Sequence, residues 1–230
     1  MTIDLRALLT AGVVELGLDL TEEQLGKLLD YLALIQKWNK VYNLTSLRDP
    51  GEMLTHHLLD SLAVIRPLRL YLQASPTAGE GDGRGARLLD VGAGAGLPGV
   101  VVAICCPEVS VTCVDTVAKK ATFIQQVALA LKLPKLKGLH ARVESLTETY
   151  DVICSRAFAS LHDFTAWSRQ ALAPTGVWLA MKGKRPDDEM AALPADVLVF
   201  HVEQLAVPGL QADRCLVWMR LAGGAPQDCR

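Results

Sequence analysis

From Leu89 to Gly99 the chain reads Leu-Asp-Val-Gly-Ala-Gly-Ala-Gly-Leu-Pro-Gly: a short apolar run, an acid, then glycines at 92, 94, 96 and 99. Glycines there let the backbone reverse tightly and let a ligand reach main-chain atoms with no Cβ in the way. Two ligand chemistries fit the spacing. In the register Gly94-x-Gly96-x-x-Gly99 the turn has a dinucleotide fingerprint, and Asp115 follows about 20 residues on, where an acid takes ribose hydroxyls. That register implies an NAD(P)-dependent oxidoreductase. In the register Asp90-x-Gly92-x-Gly94-x-Gly96 an acid stands two residues before the first glycine, and no pyrophosphate cradle is required.

Other side chains extend the candidate chemistry. Arg156 follows the apolar run Val152-Ile153-Cys154, at the edge where open parallel sheets bind ligands. His56, His57 and Asp60 share about one turn of helix; they suggest a metal or an acid–base pair, but helical spacing gives no third ligand, so capping or packing is expected. Trp38 and Tyr42, four residues apart, suit stacking on a base or closing a helix against the core, and closure is expected. Lys182, Lys184 and Arg185 follow the run Val177 to Met181 and suit phosphate contacts or a solvated loop. Between Val117 and Val143 there is no acid, while Lys119, Lys120, Lys132, Lys135, Lys137 and Arg142 all fall inside, which favours RNA contact.

These residues need a frame. Residues 1–72 read as a helical N-terminal extension: Thr21-Glu22-Glu23-Gln24 is a capping box, followed by apolar positions Leu25, Leu28, Leu29, Leu32, Ile35 and Trp38 at helical spacing. A further helix is expected from about Glu52 to Ile65, stopped by Pro67. Residues 73–86, with four glycines and a proline, read as a flexible linker or exposed loop. From Arg87 to residue 222, strands at 88–91, 109–114, 137–141, 151–155, 177–181, 197–203 and 214–220 alternate with helices at least through the fifth, which implies an α/β fold with a mostly parallel sheet. The last strand follows its predecessor with no helical pattern between, so it is expected antiparallel, at or near the edge. Residues 223–230 read as a tail.

Composition narrows the function. Apolar residues make up 50% of the 230 and charged residues 21%, enough for a packed core. The longest apolar stretch, Gly99 to Cys106, is far shorter than the roughly 20 residues of a spanning helix, and Met1 to Thr10 shows no basic-then-apolar signal region. The six cysteines form no C-x-x-C pair, which argues against a metal site or disulfide framework and for a reducing, cytoplasmic setting. The overall charge of −2 alone argues weakly against a nucleic-acid partner, but the distribution matters more.

The second glycine register resembles motif I of the class I S-adenosylmethionine methyltransferases, with Asp90 orienting the turn and facing the methionine ammonium directly or through water, and Asp115 accepting both ribose hydroxyls. The resemblance becomes specific in five segments taken in order: Trp38-Asn39-Lys40-Val41-Tyr42-Asn43-Leu44-Thr45-Ser46, His57-x-x-Asp60-Ser61, Gly92 to Gly99, Arg142-Val143-Glu144, and Ser155-Arg156-Ala157-Phe158-Ala159-Ser160. Together they resemble the RsmG family, also called GidB or glucose-inhibited division protein B, over about Leu5 to Leu221. The departure is the 73–86 stretch, longer than the family's usual connection.

That resemblance implies a Rossmann-like fold and transfer of methyl from S-adenosylmethionine to N7 of one guanine in the 530 loop of 16S ribosomal RNA. It implies cofactor contacts at Gly92, Leu97, Val143, Glu144 and Arg156, which Gly94 in the turn and Asp115 at the end of the second strand join from the reading above; the basic run and the loop after the fifth strand make Lys119 and Lys182 candidate RNA contacts. The expected partner is 16S ribosomal RNA or the small subunit, with no metal and no membrane, and a monomer is expected. No Asp/Asn-Pro-Pro-Tyr segment follows the fourth strand, which disfavours methylation of an exocyclic amine, and Cys106 is misplaced for a C5-methylating nucleophile. N7 needs no deprotonation, so no catalytic base is assigned. Two alternatives remain: the NAD(P)-dependent oxidoreductase of the overlapping glycine register, and a non-catalytic RNA- or ribosome-binding module that kept the fold.

Overall fold

The computed structural model describes residues 4–74, 85–156 and 158–223. The N-terminal part holds α1 (Leu5–Glu15), α2 (Glu22–Tyr42), α3 (Pro50–Met53), a π-helical turn Leu54–Leu59, α4 (Asp60–Leu62) and α5 (Ile65–Ala74). The expected capping box is present, with the Thr21 hydroxyl and the Gln24 side chain each bonding the other's backbone N–H. Pro67 does not end a helix. It lies in the first turn of α5, where a proline's missing N–H has no intrahelical partner to lose, so the break falls at residues 63–64 instead. Of the expected 73–86 linker, Gln73 and Ala74 finish α5, and residues 75–84 lie outside the described residues, as does the tail from 224.

The sheet contains β1 (Arg87–Val91), β2 (Ser110–Asp115), β3 (Leu136–His140), β4 (Tyr150–Arg156), β5 (Leu172–Lys182), β6 (Val197–Leu205) and β7 (Arg214–Leu221), in the order β3-β2-β1-β4-β5-β7-β6. Strands β1 to β5 pair in parallel; β7 runs antiparallel between β5 and β6, one place in from the edge. The crossovers are α6 (Gly99–Cys105), α7 (Ala118–Ala130) and α8 (Leu161–Ser168), with α9 (Asp187–Ala191) between β5 and β6. The helix expected between the third and fourth strands is absent. Nine residues join β3 to β4, and only a single 3₁₀ turn, Val143–Ser145, forms in them. The order reverses from β1-β2-β3 to β4-β5, so a crevice opens at the carboxyl ends of β1 and β4.

Alternation along the strands divides the core. Leu88, Val111, Val152, Leu179 and Leu216 face α6, α7 and the N-terminal helices, while Leu89, Ile153, Trp178, Val217 and Met219 face the layer containing α8. The N-terminal helices therefore share one apolar cluster with the sheet rather than forming their own. They also complete α6, whose last carbonyls lack intrahelical donors. Gln24 Nε2 donates to the Ile104 and Cys105 carbonyls at 3.0 and 3.2 Å, and Arg69 Nη2 donates to Cys105 at 2.6 Å. Among the described residues no helix is long and apolar enough to cross a membrane.

Candidate active site

The glycine turn leaves β1 and is pinned on three sides. Gly92 and Ala93 N–H donate to the Val114 carbonyl at the end of β2 (3.0 and 3.2 Å). The Tyr31 hydroxyl of α2, fully buried, donates to the Ala95 carbonyl at 2.7 Å. Gly99 N–H donates to Asp90 Oδ2 at 2.8 Å, which ties the start of α6 back to β1. A side chain at Gly99 would strike Cys113 Sγ and Asp90, so helix and strand approach this closely only with glycine there. Gly94 differs. Its φ is +61°, and a Cβ placed on it would find its nearest protein atom 4.0 Å away, so the crest of the turn faces open space.

Asp90 is fully buried, its Oδ1 has no hydrogen-bond partner, and burial pushes its carboxyl up to about 7 although the Gly99 N–H and Arg156 act in the other direction. It lines neither cavity described below. The expectation that it faces a ligand's ammonium directly is therefore corrected, while the expected orienting of the turn is what it does, from behind.

Two cavities flank the crest and meet at Gly92. The first, about 620 Å³, is walled by Val91, Gly92, Asp115, Lys120, Val143, Glu144, Phe158 and Trp167 among others. Asp115 ends β2 and is buried; its Oδ2 accepts Gly94 N–H at 3.0 Å and its Oδ1 accepts Val117 N–H at 2.8 Å, with Lys120 Nζ at 3.5 Å. A carboxylate has about four acceptor sites, so room remains for ribose hydroxyls. Across the cavity the single 3₁₀ turn presents Glu144, exposed, beside buried Val143.

The second cavity, about 660 Å³, is walled by the loop Leu44-Thr45-Ser46, by His56, His57 and Asp60, by Gly92 to Ala95 and Leu97, and by Arg156, Lys182 and Arg214. Asn39, near the end of α2, shapes the loop: its Oδ1 accepts Thr45 N–H at 2.9 Å and its Nδ2 donates to the Leu47 carbonyl at 3.1 Å. Asp60 Oδ2 accepts Arg156 Nη1 at 2.9 Å and Asp60 Oδ1 accepts Arg214 Nε at 2.8 Å. His57 Nε2 lies 2.8 Å from Thr45 Oγ1, and burial together with the Arg156 charge pulls its imidazole down to about 4. Lys182 Nζ is held by Glu189 at 2.8 Å and by the Ala159 carbonyl at 3.2 Å.

The structure thus gathers Gly92, Gly94, Leu97, Arg156 and Lys182 around one cavity and Asp115, Val143 and Glu144, again with Gly92, around the other. Lys119 lines neither and stands exposed in the first turn of α7. The basic run does not form one surface. Lys119, Lys120 and Arg142 lie at the carboxyl edge of the sheet, while Lys132, Lys135 and Lys137 lie where β3 begins, at the opposite edge. Trp38 stacks on Tyr42 (5.1 Å) and packs against Phe123 (5.4 Å), which is the expected closure. Among the described residues no three His, Cys, Asp or Glu side chains gather as a metal site.

Sequence reasoning missed two participants. Asp60, expected to cap or pack, is the counter-charge of Arg156. Arg214, which opens the last strand, carried no signal of its own. Pairs separated by 96 and 154 positions leave no local pattern. The histidine–aspartate turn was the one available hint.

The chain matches the family profile described as GidB, rRNA small subunit methyltransferase G, over residues 24–217. It is 67% identical over 217 residues to the ribosomal RNA small subunit methyltransferase G of a Polaromonas species, covering 94% of each chain. To the protein of the same name from Acidovorax ebreus it is 69% identical over 212 residues, covering 92% of this chain and 93% of that one. Among solved structures, a SAM-dependent methyltransferase from Aquifex aeolicus superposes with a TM-score of 0.51 at 14% identity, over 77% of this chain and 96% of that one. TrmN from Thermus thermophilus gives 0.50 at 20% identity, over 66% and 48%. At such identities the two structures establish a shared fold.

Proposed function

The chain belongs to the GidB family of rRNA small subunit methyltransferases, and from that premise we propose that it transfers a methyl group from S-adenosylmethionine to N7 of a guanine in the 530 loop of 16S ribosomal RNA. The observation that carries this reading is the pair of cavities meeting at the glycine crest, one with a ribose-type acid and the other with paired guanidinium groups. The family relationship supports the choice of RNA and base.

The cofactor, when bound, supplies an electrophilic methyl on a sulfonium. Asp115 takes the ribose hydroxyls, and the Val143 backbone with the Glu144 carboxylate reads the adenine edge. The open face of Gly94 lets the ligand lie against main chain. Arg156 receives the cofactor's carboxylate from across the crest, and its planar fork gives a bidentate grip that lysine cannot. No residue acts as a base, because guanine N7 offers a free lone pair. What the protein contributes is alignment of three atoms, and proximity and orientation can supply about 7–11 kcal/mol in favourable cases. His57, held down to about 4, stays neutral through pH 6–8, and Asp90 sits behind the turn. Single-turnover rate should therefore be flat from about pH 6 to 8; a tenfold rise per pH unit would point to a general base and sink the mechanism.

Nucleoside mass spectrometry of 16S RNA from cells with and without this gene tests the assignment. Loss of one 7-methylguanosine from the 530-loop fragment is expected, and its persistence would overturn the reading.

A further inference from the structure

Asp60 stands where the π-helical turn gives way to α4, and its carboxylate is only 5% exposed. Each oxygen takes one guanidinium: Arg156 from the end of β4 and Arg214 from the start of β7. Both forks are fixed a second time by backbone, Arg156 Nη1 on the His56 carbonyl and Arg214 Nη1 on the Asp213 carbonyl, each at 2.8 Å. Neither Nη2 is used in these contacts, and both residues line the second cavity. A guanidinium has five N–H groups, so each fork retains donors for a ligand.

The charges around this cavity nearly balance. Two guanidinium groups share one carboxylate, Lys182 is paired with Glu189, and His57 is neutral. A cationic methyl donor entering here meets little net repulsion. Guanine presents two adjacent acceptors, O6 and N7, on one edge. Since N7 must stay free to attack, any donor that orients the base on that edge has to take O6.

We propose that Asp60 is a positioning residue for the transfer, holding Arg156 toward the cofactor and Arg214 where its fork receives the O6 carbonyl of the incoming guanine. The inference rests on the function assigned above. In the step the methyl carbon–sulfur bond breaks, the pair returns to sulfur, the carbon–N7 bond forms, and the positive charge passes to the purine; no proton moves. Arg214 aligns the base, and Asp60 offsets the charge that would otherwise lie beside the new cation.

The test uses the full chain and 530-loop RNA carrying either guanine or 2-aminopurine, which keeps N7 and lacks O6, at the target position. Arg214→Lys keeps a charge beside Asp60 and so preserves the buried pair. It should slow single turnover at saturating cofactor about tenfold on guanine RNA and less than twofold on 2-aminopurine RNA, with cofactor affinity by calorimetry within twofold of wild type. Asp60→Asn keeps the shape and removes the charge. It should slow turnover about thirtyfold, while RNA affinity without cofactor stays equal or tightens, since the cavity gains positive charge. A purely structural role would weaken both together. Combining the two substitutions should cost less than a further threefold. Equal losses for Arg214→Lys on both RNAs, independent multiplication in the double variant, or Asp60→Asn turnover within threefold of wild type would each overturn the inference. Wild-type protein that leaves guanine RNA unmethylated would instead overturn the function reading, and this with it.

Discussion

The two cavities that meet at Gly92 are assembled from different kinds of sequence. The first draws nearly all its wall from consecutive strand ends, Val91-Gly92, Val114 to Val117 and Ala141 to Glu144, which a parallel sheet sets side by side automatically. The second needs a loop from α2, a π-helical turn, the ends of β4 and β5, and the first residue of β7. The first is a property of the fold and suits a cofactor common to many proteins. The second is a property of this chain's long-range contacts, which is where the proposed function puts discrimination of one nucleotide. Changes to the first cavity, or to the glycine crest that separates the two, should therefore act on cofactor affinity, and changes to the rest of the second on turnover or RNA.

The sharpest test of that division is Gly94→Val, which puts a β-branched side chain at φ +61° and into the open face. Cofactor affinity by calorimetry should fall more than a hundredfold, with RNA affinity unchanged; a threefold loss or less would place the cofactor away from the crest. Next, Asp115→Ala removes charge-assisted bonds worth roughly 1.5–3 kcal/mol each and also strands the Gly94 and Val117 N–H groups. The expected loss is at least tenfold in cofactor affinity, and unaltered binding would break the assignment. Arg156→Lys, across the crest, should lower turnover ten- to a hundredfold, about 1.4–2.7 kcal/mol of barrier, with the melting temperature kept. A drop confined to stability would remove it from the site.

Acid and base titrations separate the regions further. Asp90, behind the crest, has a folded value of about 7 against 3.8, so the native state binds the extra proton and stability falls as pH rises across that window. His57, in the second cavity, lies near 4 against 6.5, so the unfolded state binds the extra proton and stability is lost as pH falls from 6.5 toward 4. Relative to wild type, Asp90→Asn should gain stability from pH 4 to 8, on the order of 4 kcal/mol at most. His57→Gln should gain as pH drops from 7 to 4, on the order of 3 kcal/mol. Melting curves that stay parallel to wild type across pH would contradict both. The smallest effect concerns the basic run. Replacing Lys119 and Arg142 by Gln should flatten the salt dependence of RNA binding by up to about 0.7–0.9 for each phosphate no longer neutralised, whereas Lys132 and Lys135, at the far edge, should not matter. The reverse result would move the RNA to the other end of the sheet.

What could be read from sequence follows the same division. The glycine turn and Asp115 were legible because strand, turn and helix are local and parallel pairing sets neighbours in fixed order, whereas Glu144, an exposed acid on a short connection, was reached only through the family resemblance. Asp90's acid was legible but its direction was not, since a carboxylate at a strand end can face the ligand or cap the following helix, and here the Gly99 N–H decided it. Pro67 misled because proline breaks helices in their interior and is accommodated in their first turn. Asp60 and Arg214 were illegible as partners: their meeting depends on β7 inserting beside β5 and on the π-helical turn, neither of which has a periodic signature.

The position of Arg214 on the last strand has a consequence for the chain as it is made. Synthesis runs from the amino terminus, so every residue of the first cavity has left the ribosome once Glu144 and then Trp167 emerge, while Arg214 follows almost 50 residues after the latter. Until β7 is in place, Asp60 has one guanidinium instead of two and β5 has no antiparallel neighbour. The second cavity is thus the last part of the candidate site whose residues are all made, and the pairing of Asp60 with both guanidinium groups arrives only with the completed sheet.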